Sequence, residues 1–551
     1  MHFIFCLSSL KPQLVSKNPQ LLRHESLSKW NIDTVKIERR NALIDISNND
    51  YPFDKLEVLK YEIKNVRENS LKGLYMVDAM QQLNIDYHFQ EEIEAFLTRE
   101  HASPHRDLHE TALGFRLLRQ QGHFVPSEVF NKFKNKKEKF NPKLGENIKG
   151  LIDLFEASHL SMEGEDILDE AEEFSRKILN EKLAQLDNHE AIFVRRTLEY
   201  PSHKNLPLFN ARNFYGHLYG TDVWFGSLQE FEKIDFSLRQ RLYHQEIAQI
   251  SKWWKDLGLA NELPFARNQP LKWYIWSLAS LKDPTLSEER IEITKPISLV
   301  YIIDDIFDTY GTLDELTLFT EAVSRWNPDT AMEKLPNYMK TCFKVLYDQT
   351  NEISLKIYEK HAWDPKDSLR NAWESLCKAF LVEAKWFASG KLPSAEEYLK
   401  NGIVSCGVHV VLVHLFFILG KGLTKQNIDK LDTIPPIMTS LATILRLWDD
   451  LGDAEDENQQ GNDGSYVSCL MMEQPEYYCR RKARDEVMSK ICNAWKSLNK
   501  ECLFDSHFNK EFKNASLNLA RMVPLMYSYD DEHSLPVLET QVHSLLHDQV
   551  L

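Results

Sequence analysis

Between Asp54 and Asp187 apolar positions recur every three to four residues. In EDILDEAEEFSRKILNEKL, Ile167, Ala171, Phe174 and Ile178 fall four, three and four apart, the spacing of one buried helical face. No strand-like alternation persists. The texture changes over YPSHKNLPLFNARNFYGHLYG, from Tyr200 to Gly220, where two prolines and two glycines interrupt any periodicity and predict a linker. A second helical block follows, from FEKIDFSLRQRLYHQEIAQISKWWKDLGL to the C-terminus, with breaks at NPDT, DPKDS and GNDGS. There is no internal repeat of fixed period. The pattern predicts an all-α protein of two helical domains: a leader over 1–29, an N-terminal domain over 30–220 and a C-terminal domain over 221–551.

Composition agrees. A chain of 551 residues is too long for one ordinary core, and 19 glycines are few enough to favour helix over tight hairpins. The net charge of −16 argues against nucleic acid and anionic membranes as partners. It leaves room for an anionic small molecule if a metal inverts the local field. The cysteines, at 6, 342, 377, 406, 469, 479, 492 and 502, show no CxxC spacing and read as reduced thiols of an intracellular protein. The apolar run VVLVHLFFILG from Val410 is shorter than the ~20 residues a bilayer requires, which predicts a buried helix and no membrane. The first 24 residues hold Lys11, Lys17, Arg23, three serines and no acid, a faint organelle-targeting composition. So short a leader leans cytoplasmic, with a plastid as the alternative.

Against this background LVYIIDDIFDTYGTLDEL, from Leu299 to Leu316, is anomalous: it ends an apolar run in aspartates. A buried carboxylate needs a cation, a hydrogen-bonding partner or a proton. On a helix Asp304 and Asp308 share a face, and Asp305 points about 100° away. A second acidic stretch, LATILRLWDDLGDAEDENQQGNDGS, places Asp449, Asp453 and Glu457 at i, i+4 and i+8, with Arg446 on the same face. Acidic helices are usually solvated, and Asp450, Glu455 and Asp456 make the second stretch acidic all round. The flank ISLVYII argues against that for the first. Two carboxylate faces opposed across a bundle form an all-oxygen site suited to Mg²⁺. That ion favours few carboxylates, several waters and substrate phosphates, and an adjacent arginine suits phosphate oxygens.

DDIFD resembles the DDxxD motif of plant class I terpene synthases, and DDLGDAEDE resembles their second metal motif. ALGFRLLRQQGHFV, FLVEAKW and LNLARMVPLMYSYD extend the resemblance over most of the chain. It implies a catalytic C-terminal class I bundle and an N-terminal relic α-barrel-like domain without a site of its own. It implies Mg²⁺, three ions, with Mn²⁺ as a substitute, on Asp304, Asp308, Asp449, Asp453 and Glu457, with Asp305 close by. Arg267 and Arg446 would hold the diphosphate of a prenyl diphosphate substrate. Trp276 and Tyr527, and less strongly Trp273, would face a carbocation; each is as readily a core aromatic, and Trp253 and Trp254 more so. SCGV at 405–408 reads equally as a helix break lining the pocket or a packing glycine. A monomer is expected.

Three departures stand out. Asp453 replaces the usual Ser or Thr. RNQ at Arg267–Gln269 replaces Arg-x-Arg. The paired arginines expected upstream of Trp30 would fall on Gln20 and Leu21. The last resembles the subfamily making acyclic products and points to linalool from geranyl diphosphate or nerolidol from farnesyl diphosphate. An acyclic olefin such as myrcene or ocimene, or a cyclic terpene, is the alternative.

Rival readings are weaker. FDTYGTL resembles the nucleophile loop of haloacid-dehalogenase-like hydrolases, but that chemistry belongs on a strand opening an α/β sheet. A chain-elongating prenyltransferase should carry a second DDxxD, and a helical scaffold explains neither acidic face. His101, His105, His409 and His414 lack a metal pattern and read as structural, and RRKAR at 480–484 reads as a solvated helix face.

Overall fold

The structure is a computed structural model that describes residues 53–67, 70–100, 107–210, 223–453, 465–475, 479–505, 507–529 and 535–548. The leader, Gln20, Leu21, Trp30, His101, His105 and Glu457 lie outside the described residues, as does the side chain of Asp453. Among the described residues the regular elements are helical, with one isolated bridge between Lys134 and Phe140.

Helices of eight residues or more are numbered in chain order. The first seven are α1 (Phe53–Lys64), α2 (Leu71–Gln82), α3 (Gln90–Glu100), α4 (Leu108–Gln121), α5 (Ile148–Ser158), α6 (Asp166–Lys182) and α7 (Asn188–Glu199). Then come α8 (Val223–Leu257), α9 (Pro270–Ser280), α10 (Ser287–Asp305), α11 (Leu313–Arg325), α12 (Asn337–His361) and α13 (Lys366–Ser389). The rest are α14 (Ala395–Ser405), α15 (Val408–Leu419), α16 (Pro436–Asp453), α17 (Tyr466–Glu473), α18 (Arg480–Phe504), α19 (Lys510–Met526) and α20 (Pro536–His547). They form two compact units. One holds the described residues within Asn41–Arg241, Asn499–Asp505 and Thr540–Leu551; the other holds those within Leu242–Leu498 and Ser506–Glu539.

In the N-terminal unit α4 packs on α5 and α5 on α6. Asp107 caps α4 by accepting the Glu110 N–H at 2.9 Å, and Gly122 ends that helix with a φ of 94°. Two buried arginines are matched by acids: Arg116 meets Asp78 at 2.8 Å, and Arg119 pairs with Glu165 and donates to the Val125 carbonyl. The buried stripe of α6 is Leu168, Ala171, Ser175 and Leu179. It is therefore turned one residue from the expected face, because Ile167, Phe174 and Ile178 are only half-buried at its edge.

In the C-terminal unit successive packing contacts close a ring: α9 on α10, α10 on α15, α15 on α13, α13 on α14, α14 on α16, α16 on α19, and α19 back on α9. The apolar α15 is buried nearly all round and touches α10, α13, α16 and α19. These neighbours enclose it, as a helix apolar on every face requires. By length and composition Ala395–Leu419 is apolar enough to cross a membrane, but 83% of that window is buried inside the unit. It is also broken at Gly407, whose φ is 74°. A Cβ there would come within 2.6 Å of Val300 on α10, so this glycine is both a helix break and a close-packing contact.

From Ile293 onward α10 is buried almost continuously despite Pro296 within it. After Asp305 the ladder widens into a π turn, Ile306–Tyr310, in which the Gly311 N–H reaches the Ile306 carbonyl at 2.9 Å. Thr309 Oγ1 donates to the Asp305 carbonyl. A capping box, Thr312 with Glu315, then starts α11.

Candidate active site

The C-terminus of α10 and the N-terminus of α9 meet around Arg267. Its backbone N–H donates to Asp305 Oδ2 at 2.7 Å, and its Nε lies 2.8 Å from Asp305 Oδ1. One terminal nitrogen pairs with Asp304 Oδ2 and also reaches the Tyr301 carbonyl at 3.3 Å. The guanidinium sits 4.8 Å from the centre of the Tyr301 ring, whose hydroxyl accepts the Trp276 indole N–H at 3.0 Å. The next residue is anchored as well: Trp254 donates to Asn268 Oδ1 at 2.8 Å, and Trp253 to Gln349 at 2.9 Å. Both tryptophans thus act as supports.

Asp304 is 2% exposed, and its Oδ1 has no hydrogen-bond partner. Burial pushes its carboxyl up to about 6, against the pull of Arg267 and with a push from Asp305. Asp308, on the π turn, is held well above the usual carboxylate range by burial, then by Asp304, with Glu383 adding to it. Asp304 and Asp308 therefore share one electrostatic space even though the turn between them is not α-helical.

The second acidic stretch lies on α16, and it is not a solvated face. Arg446 is 0% exposed; its Nη1 lies 3.5 Å from Asp449 and its Nη2 3.7 Å from Glu383. Nη2 also donates to Ser405 Oγ at 2.8 Å, and Ser405 in turn donates to Glu383 at 2.6 Å. Asp449 and Asp450 are both buried. Asp450 accepts the Tyr398 hydroxyl at 2.8 Å and the Tyr466 N–H at 3.0 Å, and burial lifts it to about 8. It secures the start of α17.

Asp304 with its buried, unpartnered oxygen, Asp308 crowded by Asp304, and Asp449 on α16 offer the hard oxygen donors that a divalent cation takes, although among the described residues no three acids, histidines or cysteines are gathered into one metal-binding group. Asp304, Asp308 and Asp449 are the described residues from which such a site would be built. Trp276 is buried, and Tyr527 is half-buried with a hydroxyl raised by burial and by Asp449 and Tyr301. Trp273 is fully buried and packs edge-on against Trp254, which makes it a core residue. The sequence reading overlooked Tyr301 and Glu383. Glu383 lay inside FLVEAKW, and no carboxylate spacing on its own helix could single it out.

Known proteins share this architecture. Residues 255–497 match the model of the terpene synthase family metal binding domain, and residues 30–198 that of the terpene synthase N-terminal domain. An (E)-nerolidol synthase of Cannabis sativa is 52% identical over 86% of this chain and 88% of its own length. The S-(+)-linalool synthase, chloroplastic, of Arabidopsis thaliana is 46% identical over 95% and 94%. A chloroplastic tricyclene synthase of Antirrhinum majus is 47% identical over 87% and 84%. Among solved structures, isoprene synthase from grey poplar leaves (Populus x canescens), in complex with three Mg²⁺ ions and dimethylallyl-S-thiolodiphosphate, superposes with a TM-score of 0.83. It is 34% identical, over 90% of this chain and 97% of that one. The chain belongs to the terpene synthase family.

Proposed function

We propose that this terpene synthase ionises geranyl or farnesyl diphosphate with Mg²⁺ and releases an acyclic terpene, chiefly linalool or nerolidol. The observation that carries the ionisation is the meeting of Asp304 with Arg267, Asp308 crowded against Asp304, and the pairing of Asp449 with Arg446 on α16. Asp304, Asp308 and Asp449 hold the metal, joined by Asp453 and Glu457. Mg²⁺ held there would supply positive charge to the diphosphate leaving group as the allylic C–O bond breaks. Arg267 and Arg446 offer planar forks to its oxygens. Below them the pocket must exclude nucleophilic side chains, and the faces of Trp276 and Tyr527 stabilise the cation by ~0.5–2 kcal/mol each. Water capture at the tertiary carbon, with the released proton passing to the departed diphosphate, gives the alcohol.

The acyclic outcome is supported by the likeness to nerolidol and linalool synthases and by Gln20 and Leu21 in place of paired arginines. A cyclic product is the second reading, favoured by the tricyclene synthase relative. Gas chromatography of products from the purified protein with Mg²⁺, given each diphosphate separately, decides between them. Asp304→Ala should abolish turnover and leave the helical circular dichroism intact; an active variant would sink the site assignment. Two relatives named chloroplastic keep the plastid open beside the cytoplasm, which a fluorescent fusion of the full chain resolves.

A further inference from the structure

Lys272 is the third residue of α9 and 7% exposed, one helical turn before Trp276 on the same face. The other deeply buried cations of this unit each have a carboxylate within reach: Arg290 has Glu246 at 2.6 Å, Lys295 has Glu292 at 3.0 Å, and Arg446 has Asp449 at 3.5 Å. Among the described residues no carboxylate pairs with Lys272. Its Nζ reaches the Tyr529 hydroxyl at 3.4 Å and lies 5.6 Å from the centre of that ring. Tyr529 in turn sits where a Cβ on Gly452 of α16 would come within 3.5 Å, one turn beyond Asp449. The ammonium is thus held between α9, α16 and the chain after α19. It feels a like charge from Arg267 and an opposite one from Asp449.

A lysine buried beside an arginine without an acid of its own is unfavourable for folding. Its presence makes sense if an anion arrives from outside. Gln269, one turn earlier, is neutral and buried, with its Oε1 lacking a hydrogen-bond partner, so it supplies no charge there. We propose that Lys272 is a substrate-binding cation, which closes on the diphosphate together with Arg267 and completes the positive wall that Gln269 leaves open. This deepens the ionisation reading above and rests on it. Burial, then the like charge of Arg267, lowers the ammonium to about 8 against the pull of Asp449, and an arriving diphosphate opposes that shift, so the group acts as a cation and not as an amine nucleophile.

The test is calorimetric titration of the full chain with inorganic pyrophosphate in excess Mg²⁺, alongside thermal melting without ligand. Lys272→Met should weaken pyrophosphate binding tenfold or more while melting at or above the wild-type temperature. Lys272→Arg should stay within about threefold of wild type. With geranyl diphosphate, Lys272→Met should raise KM more than it lowers kcat. Equal pyrophosphate affinity in Lys272→Met and wild type overturns the inference. So does a lowered melting temperature with unchanged affinity, which marks a packing role against Tyr529. If Lys272→Met does not fold, Lys272→Gln is read by the same criteria. A wild-type protein that binds no Mg²⁺-pyrophosphate instead overturns the ionisation reading itself.

Discussion

Asp305 grips Arg267 twice, accepting its backbone N–H at 2.7 Å and facing its Nε at 2.8 Å. The middle aspartate of the stretch thereby commits both oxygens to Arg267, whereas Asp304 meets that arginine through Oδ2 alone and keeps Oδ1 bare, the oxygen that the proposed function gives to the metal. Asp305→Ala should lower kcat/KM by 10- to 100-fold, about 1.5–3 kcal/mol for a lost charge-assisted contact. Asp305→Asn keeps an acceptor for the backbone N–H and should lose less. Steady-state pyrophosphate release on both variants measures the order, and equal activity to wild type would remove Asp305 from the site.

Gly402 controls Arg446 from behind. A Cβ there would lie 3.0 Å from the Arg446 Cγ and Nε, so Gly402→Ala must push the guanidinium aside. Alanine is the better helix former by ~1 kcal/mol. Activity should therefore fall about tenfold while the melting temperature holds or rises. A parallel loss of both would indicate general misfolding instead of a displaced arginine.

Gly407 tolerates nothing larger for two independent reasons, its φ of 74° and the Val300 methyl at 2.6 Å. Gly407→Ala should cost about 2–4 kcal/mol. Adding Val300→Ala relieves the clash but not the backbone strain, so chemical denaturation should show partial recovery. Full recovery would mean that the conformation itself costs nothing.

Acid should destabilise the C-terminal unit through His409 and His414. Both are buried and bonded to backbone carbonyls, His409 to Ala372 at 3.0 Å and His414 to Val410 at 2.7 Å, and burial lowers each to about 4. Their folded values lie below the ~6.5 of an unfolded chain, so the unfolded state binds more protons between those limits. The stability is complete above ~6.5 and lost as the pH falls towards 4, by about 3 kcal/mol per histidine. Melting curves of His414→Leu and wild type at pH 7 and pH 5 should show a smaller acid-induced drop in the variant.

The sequence made the helical class, the two acidic stretches and the arginines beside them legible, because period and charge are local properties. What it withheld depended on packing between elements. Ile167, Phe174 and Ile178 have the right spacing, yet Leu168 and Leu179 win the core, since the depth of a helix face is set by its neighbours. Asp450 reads as one more solvated acid and is 1% exposed, held by a tyrosine 52 positions earlier. Glu383 belongs to the site through Ser405 and Arg446, and a single glutamate carries no signal along its own helix. Gly407 left a helix break and a packing contact open from sequence, and its φ and its approach to Val300 show that it is both.

The wide turn at Ile306–Tyr310 makes the length of this stretch harder to change than its lettering. Removing one residue there would restore the ordinary ladder and swing Asp308 round by about 100°, away from the oxygen that Asp304 leaves bare. Side chains other than Asp308 between Asp305 and Gly311 can be exchanged with graded effects. An insertion or deletion in the same interval should be all-or-none, so that a library varying residue count should yield active clones at a single length.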